Sequence, residues 1–158
     1  MKRTVYLLTC LFLLSFNFSC LKGSDNTCTP KSAASEVDAM NAYCAGNGIT
    51  PTAHPSGLFY QILDPGTGVS PTVNSKVYIT YTGKLTNGTQ FDSQSNASAT
   101  GFPLNQLIEG WKVGLPLIKK GGHILLVVPS SMGYGCSGYG VIPADAILFF
   151  DITLVDVQ

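Results

Sequence analysis

From residue 58 onward, apolar positions recur at every second residue in several short stretches, which is typical of strands with one buried face. The clearest case places Val77, Ile79 and Tyr81 at alternate positions. The chain contains 17 glycines and 9 prolines, which favours a sheet with many turns. The predicted strands cover residues 58–63, 77–82, 102–104, 123–128 and 147–157.

The spacing of turn and helix signals completes a fold prediction. Asn87-Gly88 lies between two strand patterns and predicts a tight hairpin. Residues 106–113 predict one short helix, and residues 130–145 form a glycine-rich loop between two long strands. We therefore predict an α+β fold in which a twisted antiparallel sheet wraps around a short helix.

A second helix is predicted over residues 31–45, ahead of the sheet. Glycines at 46 and 48 suit its end, and residues 50–56 read as an extended connector. The apolar face of this helix is narrow, so it is expected to pack either on the same chain or on a second copy, which would make it a dimerisation element. The face consists of Val37, Met40, Tyr43 and Cys44.

The N-terminal residues have the character of a targeting signal. Lys2 and Arg3 precede an apolar stretch at residues 5–16 that is too short and too broken for a membrane span. The stretch leads to Ser19-Cys20, which is typical of a bacterial lipoprotein processing site. We expect Cys20 to be lipidated and the protein to be anchored in the bacterial cell envelope; the alternative is ordinary secretory cleavage nearby without a lipid.

These patterns divide the chain into four expected parts. They are a signal peptide at 1–19, a lipid-anchored tether at 20–30, an N-terminal helix and connector at 31–55, and a main domain at 56–158.

An envelope location permits disulfides. Cys28 and Cys44 flank the N-terminal helix, and a bridge between them is predicted to close a short loop. The alternative is two unpaired thiols. In either case Cys136 is left as a free thiol in the glycine-rich loop.

Composition and charge exclude several classes of function. The formal net charge is zero and 11% of the residues are charged, so nothing favours a nucleic-acid partner. There is no Cys/His cluster with metal-ligand spacing, so neither a metal nor another cofactor is expected. His54 and His123 lie far apart without an evident partner, and the Gly-Tyr-Gly repeats do not open a helix as a phosphate loop does.

Several motifs carry a specific resemblance in their order along the chain. They are YTGKL at 81–85, FDS at 91–93, LIEGW at 107–111, KKGG at 119–122, GYG at 133–135, IP at 142–143 and FFDITL at 149–154. Together these segments resemble the FKBP-type peptidyl-prolyl cis–trans isomerase family, in its bacterial envelope lipoprotein form. The resemblance runs from about residue 56 to the C-terminus and implies an enzyme whose substrates are proline-containing polypeptides.

The resemblance also implies roles for individual residues. Trp111 would be the platform under a prolyl ring, with Tyr81, Phe91 and Phe150 as walls. The backbone N–H of Ile108 and the hydroxyl of Tyr134 would donate to substrate carbonyls, and Asp92 would accept from Tyr81. Leu107 would line the rim and Ile142 would close the loop side of the pocket.

Each of these residues also has a plainer interpretation. Taken singly, Tyr81, Phe91 and Trp111 could be ordinary core aromatics, and Asp92 could be a turn residue that bonds its own backbone. The functional interpretation rests on the ordered combination. The alternative function is a peptide-binding chaperone on the same fold with little catalysis, because the flap and the loop depart from the family's usual pattern: Asn96 replaces a basic residue and Tyr139 replaces a histidine.

Overall fold

The computed structural model describes residues 28–158 of the chain. The predicted signal peptide, Cys20 and residues 20–27 of the predicted tether lie outside the described residues.

The described part is an α+β structure, as the sequence predicted. One helix precedes the sheet and a second lies within the strand sequence. The elements in chain order are α1 (Val37–Gly46), β1 (Thr52–Ala53), β2 (Phe59–Asp64), β3 (Lys76–Leu85), β4 (Gln90–Gln94), β5 (Phe102–Pro103), α2 (Glu109–Gly114), β6 (His123–Val128) and β7 (Leu148–Val157).

All strands belong to a 7-stranded sheet whose paired neighbours run antiparallel. The order is β1-β2-β6-β7-β3-β4, and β5 pairs with the start of β3. The hairpin predicted at Asn87-Gly88 joins β3 to β4, and Gly88 takes a φ of 88° that a side chain would disfavour. The connector predicted before β2 contains β1, which pairs with β2 at the sheet edge.

The main core lies between one face of the sheet and α2. Ile79, Leu126 and Ile152 are fully buried there. The helix approaches the sheet closely because Gly110 faces it: a Cβ at Gly110 would lie 2.6 Å from Cγ1 of Val128. The missing side chain therefore lets α2 pack directly on β6. This close contact determines how deeply the other side chains of α2 enter the core.

The opposite face of the sheet is covered by α1. Successive strand residues point to opposite faces, so Leu126 enters the main core while Val127 packs against α1. Met40 and Cys44 of α1 are buried, and Tyr43 lies with its ring centroid 5.6 Å from that of Phe149. The helix was expected to pack either on the same chain or on a second copy, and the structure shows it packed on the sheet of the same chain.

The predicted bridge between Cys28 and Cys44 is wrong. Cys28 is bonded to Cys136, whose Cα lies 5.6 Å from its own. Cys44 carries a free thiol and is 1% exposed, because its position in α1 turns it into the sheet beside Met40. Cys136 is therefore not the leftover thiol that the sequence suggested.

None of the helices within residues 28–158 is long and apolar enough to cross a membrane.

Candidate functional site

An aromatic cavity of about 260 Å³ opens between α2, the sheet and the loop that precedes β7. Its lining joins elements that are far apart in sequence. The lining residues are Tyr81, Phe91, Asp92, Phe102, Gln106, Leu107, Ile108, Trp111, Tyr134 and Phe150.

Three rings form the floor of the aromatic cavity. The indole of Trp111 is 5% exposed and lies between Tyr81 and Phe150, with ring centroids 5.0 Å and 5.1 Å apart. The interplanar angles are 79° and 80°, the edge-to-face arrangement that aromatic quadrupoles favour. Packing of this kind holds each ring in one orientation.

The wall ring Phe91 is placed by the sheet itself. It lies edge to face with Phe150, with centroids 5.6 Å apart. Both rings pass over Gly83 of β3, where a Cβ would come within 2.7 Å of Phe91 and 2.9 Å of Phe150. The glycine of the YTGKL motif thus leaves the space that these two rings fill.

The polar edge of the aromatic cavity is a hydroxyl–carboxylate pair. The hydroxyl of Tyr81 donates to Oδ2 of Asp92 over 2.7 Å, across the β3–β4 hairpin. Burial, followed by this hydrogen bond and the charge of Asp92, raises the pKa of Tyr81 well above its usual value. Tyr81 therefore keeps its proton, and Asp92 is held as an acceptor at the edge.

Tyr134 enters the cavity from the pocket loop, which we define as residues 130–145. Its ring stacks on Tyr139, with centroids 5.3 Å apart and planes at 15°. Burial, the charge of Asp92 and the neighbouring Tyr139 raise the pKa of Tyr134, so its hydroxyl remains a donor at neutral pH. Tyr139 itself is 70% exposed and forms the outer rim.

Leu107 and Ile108 reach the cavity just before α2 begins. The carbonyl of Ile108 accepts from the backbone N–H groups of Trp111 and Lys112. No hydrogen bond among the described residues uses the N–H of Ile108. The buried Nε1 of Trp111 likewise has no acceptor within residues 28–158.

Ile142 lies next to the aromatic cavity rather than in it. It lines an adjoining cavity of about 270 Å³ that shares Phe91, Asp92 and Tyr134 with the first. The structure thus brings eight of the nine residues chosen from the sequence into one cavity and the ninth into its neighbour. Phe102 and Gln106 also line the cavity and were not chosen, although their place just before Leu107 was a usable signal.

A larger cleft of about 650 Å³ lies elsewhere, between the N-terminal segment and the β3–β4 turn. It shares no residue with the aromatic cavity and has no aromatic lining; its charged residues are Lys31, Glu36 and Asp145. Within the described ranges, no group of three or more His, Cys, Asp or Glu side chains could hold a metal ion. The aromatic cavity is therefore the candidate site.

The sequence profile of the FKBP-type peptidyl-prolyl cis-trans isomerases matches residues 68–155. The chain belongs to this family. It is 43% identical over 104 residues to the FKBP-type peptidyl-prolyl cis-trans isomerase FkpA of Aeromonas hydrophila, an alignment that covers 65% of this chain and 39% of the relative. A probable FKBP-type isomerase of Haemophilus influenzae is 40% identical over 131 residues, with 81% of this chain and 54% of the relative covered. The chain spans only about half or less of these curated relatives.

Solved structures show the same fold. The crystal structure of FkpA from Escherichia coli superposes with a TM-score of 0.68 at 34% identity, covering 80% of this chain and 61% of that chain. A peptidyl-prolyl isomerase from Pseudomonas syringae pv. tomato superposes with a TM-score of 0.67 at 30% identity, covering 82% and 98%. The FKBP-like architecture expected from the motifs is confirmed.

Proposed function

We propose that this chain is a peptidyl-prolyl cis–trans isomerase that acts on X–Pro bonds of exported polypeptides. One observation supports the proposal: this member of the family has an aromatic cavity with Trp111 buried at its floor and a single carboxylate, Asp92, paired to Tyr81 at its edge. We assign the isomerase to residues 56–158, and the helix and connector to residues 31–55.

The reaction requires neither a nucleophile nor proton transfer. Its barrier of about 18–20 kcal/mol is the loss of double-bond character when the amide twists. The uncatalysed step at X–Pro takes tens to hundreds of seconds. An enzyme accelerates it by binding the twisted amide better than either planar form.

The apolar floor favours the twisted amide. Twisting reduces the charge separation along the C–N bond, so the twisted state loses less than the planar states on transfer from water to an apolar site. Trp111 is the platform under the prolyl ring, and Tyr81, Phe91 and Phe150 enclose it. Leu107 covers one rim, and Ile142 closes the side facing the pocket loop.

The polar groups hold the flanking carbonyls. The N–H of Ile108 is available because no bond among the described residues uses it, and the Tyr134 hydroxyl is a protonated donor at the other side. Donors fixed in position before the reaction stabilise the twisted state without reorganising. Asp92 accepts from Tyr81 and keeps that hydroxyl turned to the edge of the cavity.

The test is exchange spectroscopy by NMR on a short X–Pro peptide with the full chain in detergent micelles, since this needs no coupled protease. We expect exchange well above the uncatalysed rate. Tyr134→Phe removes only a hydroxyl and is expected to reduce kcat/KM by roughly 100-fold, the lower end of the loss on removing one positioned donor. Tyr43→Phe is the matched control: the same change on α1, at a residue that lines neither the aromatic cavity nor the adjoining one, leaves the rate at wild type.

Two outcomes would contradict the proposal. Exchange at the uncatalysed rate would exclude an isomerase, and peptide-induced shifts at Trp111 in that case would favour the peptide-binding chaperone. Acceleration that survives Tyr134→Phe and Asp92→Ala would leave the activity but overturn the polar roles.

We also propose that the protein is a lipoprotein of the bacterial cell envelope, anchored through Cys20. The disulfide between Cys28 and Cys136 supports an oxidising compartment, since such bonds are rare in the cytosol. Metabolic labelling with a fatty acid tests the anchor: label in the wild type and none in Cys20→Ser is expected. Equal labelling of both would overturn it.

Dimerisation through α1 is a further partner proposal. Met40 and Cys44 are already buried against the chain's own sheet, so two copies would meet through the opposite face of the helix. Sedimentation equilibrium of the full chain decides between one copy and two.

A further inference from the structure

Residues 28–36, which we call the strap, contact the pocket loop at three points. These points lie at both ends of the strap and at Lys31 between them. Cys28 is bonded to Cys136. The buried carboxylate of Glu36 accepts from the backbone N–H of Ser130 over 2.8 Å and from its hydroxyl over 3.0 Å. Nζ of Lys31 lies 3.7 Å from Oδ2 of Asp145. The contacts therefore reach the first residue, the centre and the last residue of the loop.

The central part of the pocket loop is rich in glycine. Gly135, Gly138 and Gly140 all have positive φ, and glycine loses more conformational freedom on ordering than any other residue. The backbone bonds of the loop include the reciprocal pair between Tyr139 and Ile142 at 2.9 Å and 2.8 Å and one from the N–H of Asp145 to the carbonyl of Gly135 at 2.9 Å, and Met132 and Ile142 are buried in the main core. A loop of this composition needs external contacts to remain in one conformation.

The other end of the strap is firmly held. Directly after Glu36 the chain enters α1, whose Met40 and Cys44 are buried on the outer face of the sheet. Ala33 also packs on Gly57, where a Cβ would collide with it. The strap thus connects a rigid part of the sheet to the pocket loop.

We propose that the strap is a positioning element of the isomerase: it holds the pocket loop so that Tyr134 projects its hydroxyl into the aromatic cavity. Cys136 is two residues from Tyr134, and Ser130 is four residues before it, so the restraints lie on both sides of the catalytic tyrosine. Cys28 and Glu36 are positioning residues that act through Tyr134 without touching substrate. The proposal rests on the proposed function for its catalytic part, whereas its structural part is measurable without any activity.

The structural part is tested by amide hydrogen exchange on the full chain in detergent micelles. Cys28→Ser is expected to lower the protection of the Tyr139, Ile142 and Asp145 amides by about tenfold or more, because local opening becomes easier. The amides of β6 and β7 open only with the whole domain, so they report separately how far the loss of the cross-link lowers global stability. Cys44→Ala is the matched control, since it alters a cysteine that has no contact with the pocket loop, and it leaves the loop amides unchanged.

Dithiothreitol provides the same test without a substitution. It supplies two electrons and two protons to the Cys28–Cys136 bond, giving two thiols, and closes to its own cyclic disulfide. The wild-type loop then exchanges like that of Cys28→Ser. The variant itself does not respond, which separates this bond from any effect of Cys10 or Cys20.

The catalytic part is tested by kinetics in two backgrounds. Cys28→Ser is expected to lower kcat by roughly 10-fold while KM stays within about twofold, because the apolar floor that binds the prolyl ring is intact. In the Tyr134→Phe background the same substitution has little further effect, since the group that the strap positions is gone.

The outcomes separate the two proposals. Unchanged loop protection in Cys28→Ser and in reduced wild type overturns the strap, whatever the enzyme does. Independent, multiplying effects of Cys28→Ser and Tyr134→Phe also overturn it, because the strap would then not act through the tyrosine. A wild-type chain whose loop amides are protected but which does not catalyse isomerisation would overturn the proposed function and the catalytic role of the strap. The structural role of the strap would then be decided by the hydrogen-exchange result alone.

Discussion

The floor and the loop side of the aromatic cavity are built by different means. The floor rings come from β3, α2 and β7, and their neighbours in the sheet and core are fully buried. The loop side carries Tyr134 on a glycine-rich segment held by cross-links to residues 28–36. The family profile matches residues 68–155, so the floor lies inside it and the strap outside. The apolar floor is thus built by the domain core, whereas the loop side is also linked covalently to a segment that lies outside the family profile.

The largest loss of stability and activity is expected from a change in the floor of the aromatic cavity. Trp111→Ala removes a 5% exposed indole from between two rings and is expected to lower the free energy of unfolding by about 3–5 kcal/mol. Activity is lost with it, since the platform is gone. Urea unfolding followed by circular dichroism measures the first effect and peptide exchange the second. A variant with wild-type stability would show that the indole is not part of the core.

The next largest loss of stability is expected from a change that affects only the loop side of the cavity. Glu36→Ala leaves the fully buried Ser130 without its acceptor and is expected to cost about 1–3 kcal/mol. The fluorescence of Trp111 is expected to stay at the wild-type wavelength, because the floor is not touched.

Glu36→Gln is the matched control for that substitution. It keeps one acceptor oxygen and nearly the same volume, so its loss of stability should be clearly smaller. Equal losses in both variants would mean that the buried charge, rather than the hydrogen bond, holds Ser130.

A smaller effect is expected where floor and edge meet. Tyr81→Phe keeps the ring that packs on Trp111 but removes the hydroxyl that donates to Asp92. We expect a loss of about 0.5–1.5 kcal/mol, the usual net value of one hydrogen bond, since Asp92 is exposed and can turn to water. The loss is read from thermal unfolding, and a loss above about 3 kcal/mol would place the hydroxyl in the core rather than at its edge.

The smallest effect is a dependence on alkaline pH. The pKa of Tyr81 is raised in the folded chain above its ordinary value of 10.0, so above that pH the folded chain binds more protons than the unfolded one. Its contribution to stability is complete below pH 10 and decreases as the pH rises towards the folded pKa. Thermal unfolding between about pH 9 and 11 should show this slope, and Tyr81→Phe should reduce it, leaving the part that comes from Tyr43 and Tyr134, whose pKa values are also raised. An equal slope in that variant would assign it to other tyrosines.

The strand pattern and the ordered motifs were sufficient to predict the sheet, the hairpin at Asn87-Gly88 and the cavity lining. The sheet and the hairpin depend on residues whose spacing shows directly which face is buried, whereas eight of the ten lining residues were named only from the resemblance that the motifs carry. The predicted ends of the two helices were within one residue, because glycine ends such elements locally, whereas α1 begins six residues and α2 three residues later than predicted.

The cross-links to the pocket loop were not predictable in the same way. Cys28 lies 16 positions from Cys44 but 108 from its true partner, and nearness in sequence favoured the wrong pairing. The pairing is decided by the face that α1 turns towards the sheet, because this orientation buries Cys44. Glu36 is also a buried acid whose partner lies 94 positions away, and no local pattern identifies such a pair.

The Cys28–Cys136 bond has a mechanical consequence as well. It makes residues 28–136 a closed covalent ring, so a pull on the N-terminal end passes from Cys28 directly to the pocket loop and bypasses α1. Residues 137–158 lie outside the ring and can extend by at most roughly 80 Å. They include β7, which is clamped between β3 and β6. Tension along the chain therefore loads the donor side of the cavity first, and most of the domain lies outside the path of the force.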